Sequence, residues 1–399
     1  MPPFGFETEN EVMNAPSPKV QMNRRQFVRF AGVASGAVLL AGPRAFAATT
    51  ADSVLDLDPG PDNPRNSEGA FVTLKSGRIL FVYTRFYGGA DDASPANLVS
   101  VYSDDDGRTW RREHKVEVQN QSGANVMSVS LLRLQSGAIA LFYLVKDSLI
   151  QCRPVWRIST DEAQTWSEAR PITDAPGYFV LNNDRVIQLA SGRLLAPLAF
   201  HRAKGSQPKS YASWDSRAIV LWLLSDDEGK TWREADDWWA LPGRTRTGLQ
   251  EPGVVELADG RVWSWMRTDQ GVQYGSISPD GKQWPSLPEK TQLVSPASPA
   301  SVKRLPGSSS LLAVYNDHSG QFPYPKGKRS PLVAAISTDG GVTWPKRKMI
   351  ESDPQGWYCY TAIHFVKGAV LLAYCAGDPK VGGLNRLRIR RIELNWLDA

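Results

Sequence analysis

Five stretches of the chain follow one pattern, S-x-D-x-G-x-T-W, and that recurrence narrows the choice of fold more than any other feature. The copies are SDDDGRTW at 103–110, STDEAQTW at 159–166, SDDEGKTW at 225–232, SPDGKQW at 278–284 and STDGGVTW at 337–344. The second has Ala163 at the glycine position, and the fourth is one residue short. Each suits a β-turn in which Asp accepts from turn amides, Gly takes a left-handed backbone and Trp packs beneath. Residues used this way hold a turn together, so these aspartates are assigned no chemistry.

A second pattern runs between the motifs. An apolar strand, a glycine turn and another apolar strand recur six times, turning at Gly77, Gly137, Gly192, Gly260, Gly307 and Gly368. Two hairpins per repeat make a four-stranded antiparallel sheet. Six such sheets in a ring predict an all-β chain, a six-bladed β-propeller. The sixth repeat lacks the Asp motif, and its third strand falls at 387–394. A strand at 54–58, early in the mature chain, supplies the missing outer strand and closes the ring.

This topology sorts residues onto faces. The first strand of each repeat runs toward its glycine turn and the second returns, so residues about nine before the glycine and seven after it share one mouth. In EPGVVELADGRVWSWMR, Glu251 and Arg267 are each eight residues from Asp259, which sets them opposite each other across the hairpin. Glu68 and the pair Asp184–Arg185 fall at the same end, as does His201. The Asp motifs lie at the other. Paired Trp238 and Trp239 either line a rim or pack between blades.

Residues 1–47 read as a targeting segment. Asn23-Arg24-Arg25-Gln26-Phe27-Val28-Arg29 is a twin-arginine motif, 30–42 is a short apolar run, and Ala45-Phe46-Ala47 is a small-x-small cleavage site. The expected domains are therefore a signal peptide at 1–47 and one propeller domain at 48–399, exported folded to the periplasm or beyond. No later stretch approaches about 18 uninterrupted apolar residues, so no membrane span is expected.

The formal net charge is +5, with no basic run suited to nucleic acid. This mild excess fits a small anionic ligand. Cysteine is sparse, at Cys152, Cys359 and Cys375. The last two face each other across one hairpin, where a disulfide is conceivable, but such bridges are often strained and buried thiols are expected. No Cys or His spacing resembles a metal site.

The repeats together with Glu251–Arg267 resemble the sialidases (neuraminidases), in particular the bacterial exo-sialidases of glycoside hydrolase family 33. The Asp motifs alone carry the fold, since non-catalytic relatives share them. More specific is E-x-x-V-V-E-L-x-D-G-R-V followed by Arg. The resemblance implies that Glu251 activates a tyrosine and that Arg267 is one of three arginines gripping the substrate carboxylate. Arg329, eight residues before Ser337, matches another of the three. Asp91, twelve residues before Ser103, matches the acid/base, with Asp92 a close competitor.

The chain departs from the family in two places. The first arginine's place, counted back from Gly77, holds Ser67, so Arg65 fills the role only if its loop carries it inward. Glu68 would then sit beside a bound carboxylate. The nucleophile's place holds Cys359, flanked by Tyr358 and Tyr360. Either tyrosine enters through a one-residue bulge, and Tyr358 followed by a small residue ranks first.

The chemistry explains these residue types. Sialic acids carry a carboxylate on the anomeric carbon, which repels a carboxylate nucleophile. A neutral phenol deprotonated by Glu251 avoids the repulsion. Planar guanidinium groups grip a carboxylate in bidentate fashion, as lysine does not. The expectation is a retaining exo-sialidase without metal or cofactor, acting on a glycan with a terminal acidic sugar. The alternatives are a propeller glycosidase for another glycan and a carbohydrate-binding propeller without turnover.

Overall fold

The computed structural model describes residues 53–204 and 213–398. The expected signal peptide lies outside the described residues, as do residues 205–212. Strand β1 (Ser53–Leu57) is followed by an antiparallel meander of β2 (Arg65–Thr73), β3 (Ile79–Phe86), β4 (Ala96–Ser103) and β5 (Arg111–Val118). The second meander is β6 (Asn125–Arg133), β7 (Ile139–Lys146), β8 (Cys152–Ser159) and β9 (Arg170–Pro171).

After β10 (Tyr178–Val180) come β11 (Ile187–Gln188), β12 (Leu194–Ala203), β13 (Trp214–Ser225), β14 (Arg233–Glu234) and β15 (Trp239–Ala240). Two further four-stranded meanders follow: β16 (Gln250–Glu256) to β19 (Glu289–Val294) through β17 (Val262–Arg267) and β18 (Val272–Ser278), and β20 (Ser301–Arg304) to β23 (Lys346–Glu351) through β21 (Leu311–Asn316) and β22 (Leu332–Ser337). The chain ends with β24 (Trp357–Val366), β25 (Ala369–Gly377), β26 (Leu387–Glu393) and a one-turn helix, α1 (Leu394–Asp398).

The strand anticipated at 54–58 pairs with β26, from Ser53 opposite Arg390 to Leu57 opposite Leu387. Leu55 and Leu57 are buried there, and Asp56 takes a two-pronged grip from Arg388 at 2.9 and 2.8 Å. One expectation is revised. The second and third meanders are not separate sheets: β10 pairs parallel with β8 and antiparallel with β12, joining them into a ten-stranded sheet. The chain leaving β9 fills the outer gap with strand hydrogen bonds that the two-residue β9 leaves unmade.

The Asp motifs form the turns read from their sequence. Asp105 accepts from Thr109 N at 2.8 Å and Thr109 Oγ1 at 2.7 Å, Gly107 N donates to Ser103 Oγ, and Trp110 Nε1 donates to Gly107 O. Ala163 keeps the left-handed turn at φ 63°, so the missing glycine costs strain and not the motif. Trp284 and Trp344 are fully buried beneath their turns. Trp239 is a packing residue that donates to Trp284 O at 3.0 Å, whereas Trp238 is 58 % exposed.

The innermost strands pack side by side. β2 lies between β6 and β24, β16 between β12 and β20, and β20 next to β24. Asp184 N and Arg185 N, just before β11, bond β6 at Val129 O and Ser130 Oγ. Apolar clusters therefore continue from each meander to the next, and the polar residues near the start of each inner strand face common ground.

Candidate active site

One backbone device builds the site. Four inner strands carry a one-residue bulge: the register slips between Ser67 and Ala70, Met127 and Ser130, Gln250 and Gly253, and Cys359 and Ala362. The first bulged residue is Glu68, Ser128, Glu251 and Tyr360 respectively, each with φ between 47° and 61°. Asp184, just before β11, has φ 57°. Left-handed backbone is costly for residues with a Cβ and gathers at functional sites, and a bulge re-aims the side chain it displaces. Pro299, two residues before the first paired residue of β20, cannot adopt that φ.

The bulge revises one expected register. Arg267 pairs with Gln250, not Glu251. Glu251 is instead turned sideways, where its Oε1 meets Arg267 Nη1 at 2.7 Å and accepts from the Tyr360 hydroxyl at 2.9 Å. Its Oε2 is buried without a hydrogen-bond partner. Burial opposes the Glu251 charge, but Arg267, Arg329 and these contacts outweigh it and hold the carboxyl below its ordinary value. Tyr360 moves the other way: burial and the Glu251 charge push the phenol well above its usual value. An ionised carboxylate thus accepts from a neutral phenol.

The ranking of the two tyrosines is reversed. Cys359 pairs with Cys375, and the bulge begins one residue later, so Tyr360 is the side chain turned inward. Tyr358 points into the apolar core beside Tyr374 and is 4 % exposed. Cys359 and Cys375 are buried free thiols.

Arg329 sits over the Tyr360 ring, 5.5 Å from its centroid, and over Trp357 at 5.4 Å. Its Nη2 reaches Ala297 O at 3.4 Å while Nη1 is buried without a hydrogen-bond partner. Among the described residues it is the one member of the expected arginine trio with no ion pair.

Arg65, the first residue of β2, is turned inward and fully buried. Its Nη1 meets Asp92 Oδ1 at 2.6 Å, and its Nη2 donates to Ser67 Oγ and Glu68 Oε1, each at 3.3 Å. The two aspartates separate clearly. Asp91 Oδ1 accepts from Ala93 N in its own turn, whereas the Asp92 carboxylate faces Arg65. The Asp92 carbonyl is tied by Lys146 Nζ at 2.6 Å and Asn125 Nδ2 at 2.9 Å. Loss of water around the oxygen that meets Arg65 works against the Asp92 charge, although the side chain as a whole is 60% exposed, but Arg65 and Lys146 outweigh it and hold the carboxyl at about 2. A general acid works best with a raised value, and in the free protein the opposite holds for Asp92. Glu68, buried between Arg65 and Ser128, is raised, chiefly by burial against the pull of Arg65.

Asp184 and Arg185, placed by the repeat at the mouth as candidate substrate-binding residues, are ties between strands. Asp184 accepts from Lys303 Nζ at 2.7 Å and Ile363 N at 2.9 Å. Arg185 donates to Ala300 O at 2.7 Å and Ser301 Oγ at 3.1 Å. Burial pulls its guanidinium down to about 10. His201 is likewise held neutral by burial, down to about 4. Two contributors escaped the sequence reading. Ser128 donates to Glu68 Oε2, and Asn183 Nδ2 donates to the carbonyls of Gly69 and Tyr360, each at 3.0 Å. Ser128 stands nine residues before Gly137, as Glu68 does before Gly77, so the repeat register pointed to it. Among the described residues no cluster of three or more His, Cys, Asp or Glu is arranged to hold a metal ion, and no helix is long and apolar enough to cross a membrane.

A family model described as a BNR repeat-like domain matches residues 86–371. A sialidase from Micromonospora viridifaciens is 26% identical over 374 residues, covering 82% of this chain and 51% of that protein. A sialidase from Bacteroides fragilis is 28% identical over 216 residues, covering 50% and 35%. The chain spans about half or less of the length of these curated relatives. The solved intramolecular trans-sialidase from Ruminococcus gnavus, in complex with oseltamivir carboxylate, superposes with a TM-score of 0.67 at 15% identity, over 88% of this chain and 99% of that one. The chain belongs to the BNR repeat-like family, within the sialidase superfamily.

Proposed function

We propose that the protein is an exported, retaining exo-α-sialidase-type glycoside hydrolase that releases a terminal sialic or related acidic sugar from glycoconjugates. The observation that carries this reading is the 2.9 Å hydrogen bond from Tyr360 to Glu251, flanked by Arg267 and Arg329. Glu251 takes the phenolic proton as the Tyr360 oxygen bonds the anomeric carbon and the bond to the leaving oxygen breaks. Arg329, Arg267 and Arg65 hold the sugar's carboxylate and orient the ring as positive charge develops on it.

Asp92 gives its proton to the leaving oxygen and later takes one from the water that releases the sugar, while Glu251 returns its proton to the phenol. Arg65 holds Asp92 ionised in the free protein. The leaving oxygen of a bound glycoside, brought against Asp92 in place of Arg65, lets that carboxyl carry a proton. The reaction so written calls for no metal or organic cofactor. We read the meanders as six blades of one propeller, closed by β1. Its pairing with β26 and the order of inner-strand neighbours support that reading. The twin-arginine segment supports export to the periplasm or beyond.

Glu68 beside Arg65 favours a second reading, a glycosidase of the same fold acting on another glycan. Turnover of a fluorogenic α-sialoside by the wild type and by Glu251→Gln and Tyr360→Phe separates these. Wild-type turnover that falls by about 10²-fold or more in both folded variants supports the first reading. Cleavage of other glycosides but not sialosides supports the second, and glycan binding without cleavage supports a non-catalytic propeller.

A further inference from the structure

Of the three arginines in the expected trio, Arg65 is the one whose guanidinium is already shared between two of the protein's own carboxylates. Asp92 takes Nη1 at 2.6 Å and Glu68 takes Nη2 at 3.3 Å. Nε is buried without a hydrogen-bond partner. An incoming carboxylate aimed at Arg65 thus meets two negative groups. Asp92 can move aside, because it sits on a loop and its side chain is 60% exposed. Glu68 cannot. Its backbone is held in the β2 bulge at φ 49°, its side chain is 4% exposed, and its Oε2 is taken by Ser128 of the neighbouring strand. A fixed, buried carboxylate beside a second anion has one inexpensive way to lose its charge, which is to take a proton.

We propose that Glu68 is the specificity-determining residue for the anion, accepting a proton as a carboxylate ligand binds, so that recognition of the acidic sugar is coupled to proton uptake. This rests on the sialidase reading and adds to it a reason for a residue that departs from the family pattern. A protonated Glu68 keeps Ser128 as a neighbour and gains a donor of its own, while the Nη2 arm of Arg65 turns from protein to ligand.

The titratable and charged groups that bear on Glu68 are Arg65 on its own strand, Asp92 on the β3–β4 loop, Glu251 on β16, Tyr360 on β24 and Cys375 on β25. Tyr360 and Cys375 are pushed up and stay neutral, whereas Asp92 and Glu251 are held low and, with no leaving oxygen present, stay charged. Glu68, moved up toward neutrality by burial and fixed beside Arg65, is the group of this set best placed to take up a proton.

Titration calorimetry of the full chain tests this with the 2,3-didehydro analogue of N-acetylneuraminic acid, which is planar at the anomeric carbon and keeps the carboxylate. At pH 7 it is run in two buffers of different ionisation enthalpy. The wild type is expected to take up close to one proton per ligand, and its Kd to weaken by up to about tenfold per pH unit from 6 to 8. Glu68→Gln, which keeps the shape, should bind with no uptake and with less than a twofold change per pH unit. Asp92→Asn should retain the uptake, which separates Glu68 from the other carboxylate on Arg65. Wild-type binding without uptake, or the same uptake in Glu68→Gln, overturns the proposal even if sialosides are cleaved. The wild-type measurement decides by itself if the variant does not fold. No binding at any pH from 4 to 8 removes the sialidase reading and this proposal together.

Discussion

The Tyr360 hydroxyl donates to Glu251 Oε1 at 2.9 Å across 109 residues of sequence, and each residue is the first member of a bulge in its own inner strand. Two flat strands would have turned these side chains to opposite faces or into the sheet. The bulges aim both at the same point.

Tyr360→Phe should therefore lower kcat on an α-sialoside by about 10²-fold or more, since it removes the attacking oxygen. Tyr358→Phe should stay within about threefold of the wild type, because the Tyr358 ring lies in the core. Single-turnover kinetics on both variants, with matched melting curves, is the measurement. Loss in the second and not the first would return the nucleophile's role to Tyr358.

Arg329 has a buried Nη1 with no partner and no carboxylate on it. Arg329→Lys should raise KM for a sialoside about 10- to 100-fold, the equivalent of losing a charge-assisted hydrogen bond of about 1.5–3 kcal/mol. Melting temperature should change little, because the guanidinium ties few protein groups. An unchanged KM argues against contact with substrate.

The pH profile follows from the direction of the Glu251 shift. Burial opposes its charge, but Arg267 and Arg329 hold the carboxyl below its ordinary value of 4.5. The base must be ionised, so the acid limb of kcat/KM that belongs to Glu251 should lie below pH 4.5. The stability that this pair contributes is present above that pH and is lost as pH falls through the depressed value. Arg267→Met should move the limb upward. A limb unmoved in that variant assigns it to another group.

The Asp motifs should affect stability and not chemistry. Trp344, buried beneath the turn of Asp339, loses its packing in Trp344→Ala at a cost of about 3–5 kcal/mol. Asp339→Ala should cost about 1–2 kcal/mol through the turn amides it leaves unpaired. Urea unfolding gives the energies, and KM of the folded fraction should match the wild type.

Strand β1 should be needed for stability although it is remote from the site. It buries Leu55 and Leu57, each worth about 1.5–3 kcal/mol, and Asp56 grips Arg388. A variant carrying Leu55→Ala and Leu57→Ala should melt well below the wild type and expose the edge of β26 to exchange. Hydrogen exchange at 387–393 reads this directly.

Much of the fold was legible because its signals are local. Alternating apolar residues, a glycine at each tight turn and the S-x-D-x-G-x-T-W motif specify strands and turns through neighbours a few residues apart. The extra pairing through β10 was not legible, since two or three residues of strand carry no pattern.

Residue types alone determined that the chain is all-β and organised in repeated hairpins, with Glu251 and Arg267 at one mouth, and the family resemblance added Arg329. Tertiary structure decided that Tyr360 and not Tyr358 meets Glu251, that Asp92 and not Asp91 meets Arg65, and that Asp184 and Arg185 tie strands together. The physical reason is register. A side chain's face changes with a one-residue slip, and whether a strand bulges depends on the partners packed against it, which no spacing along the chain records.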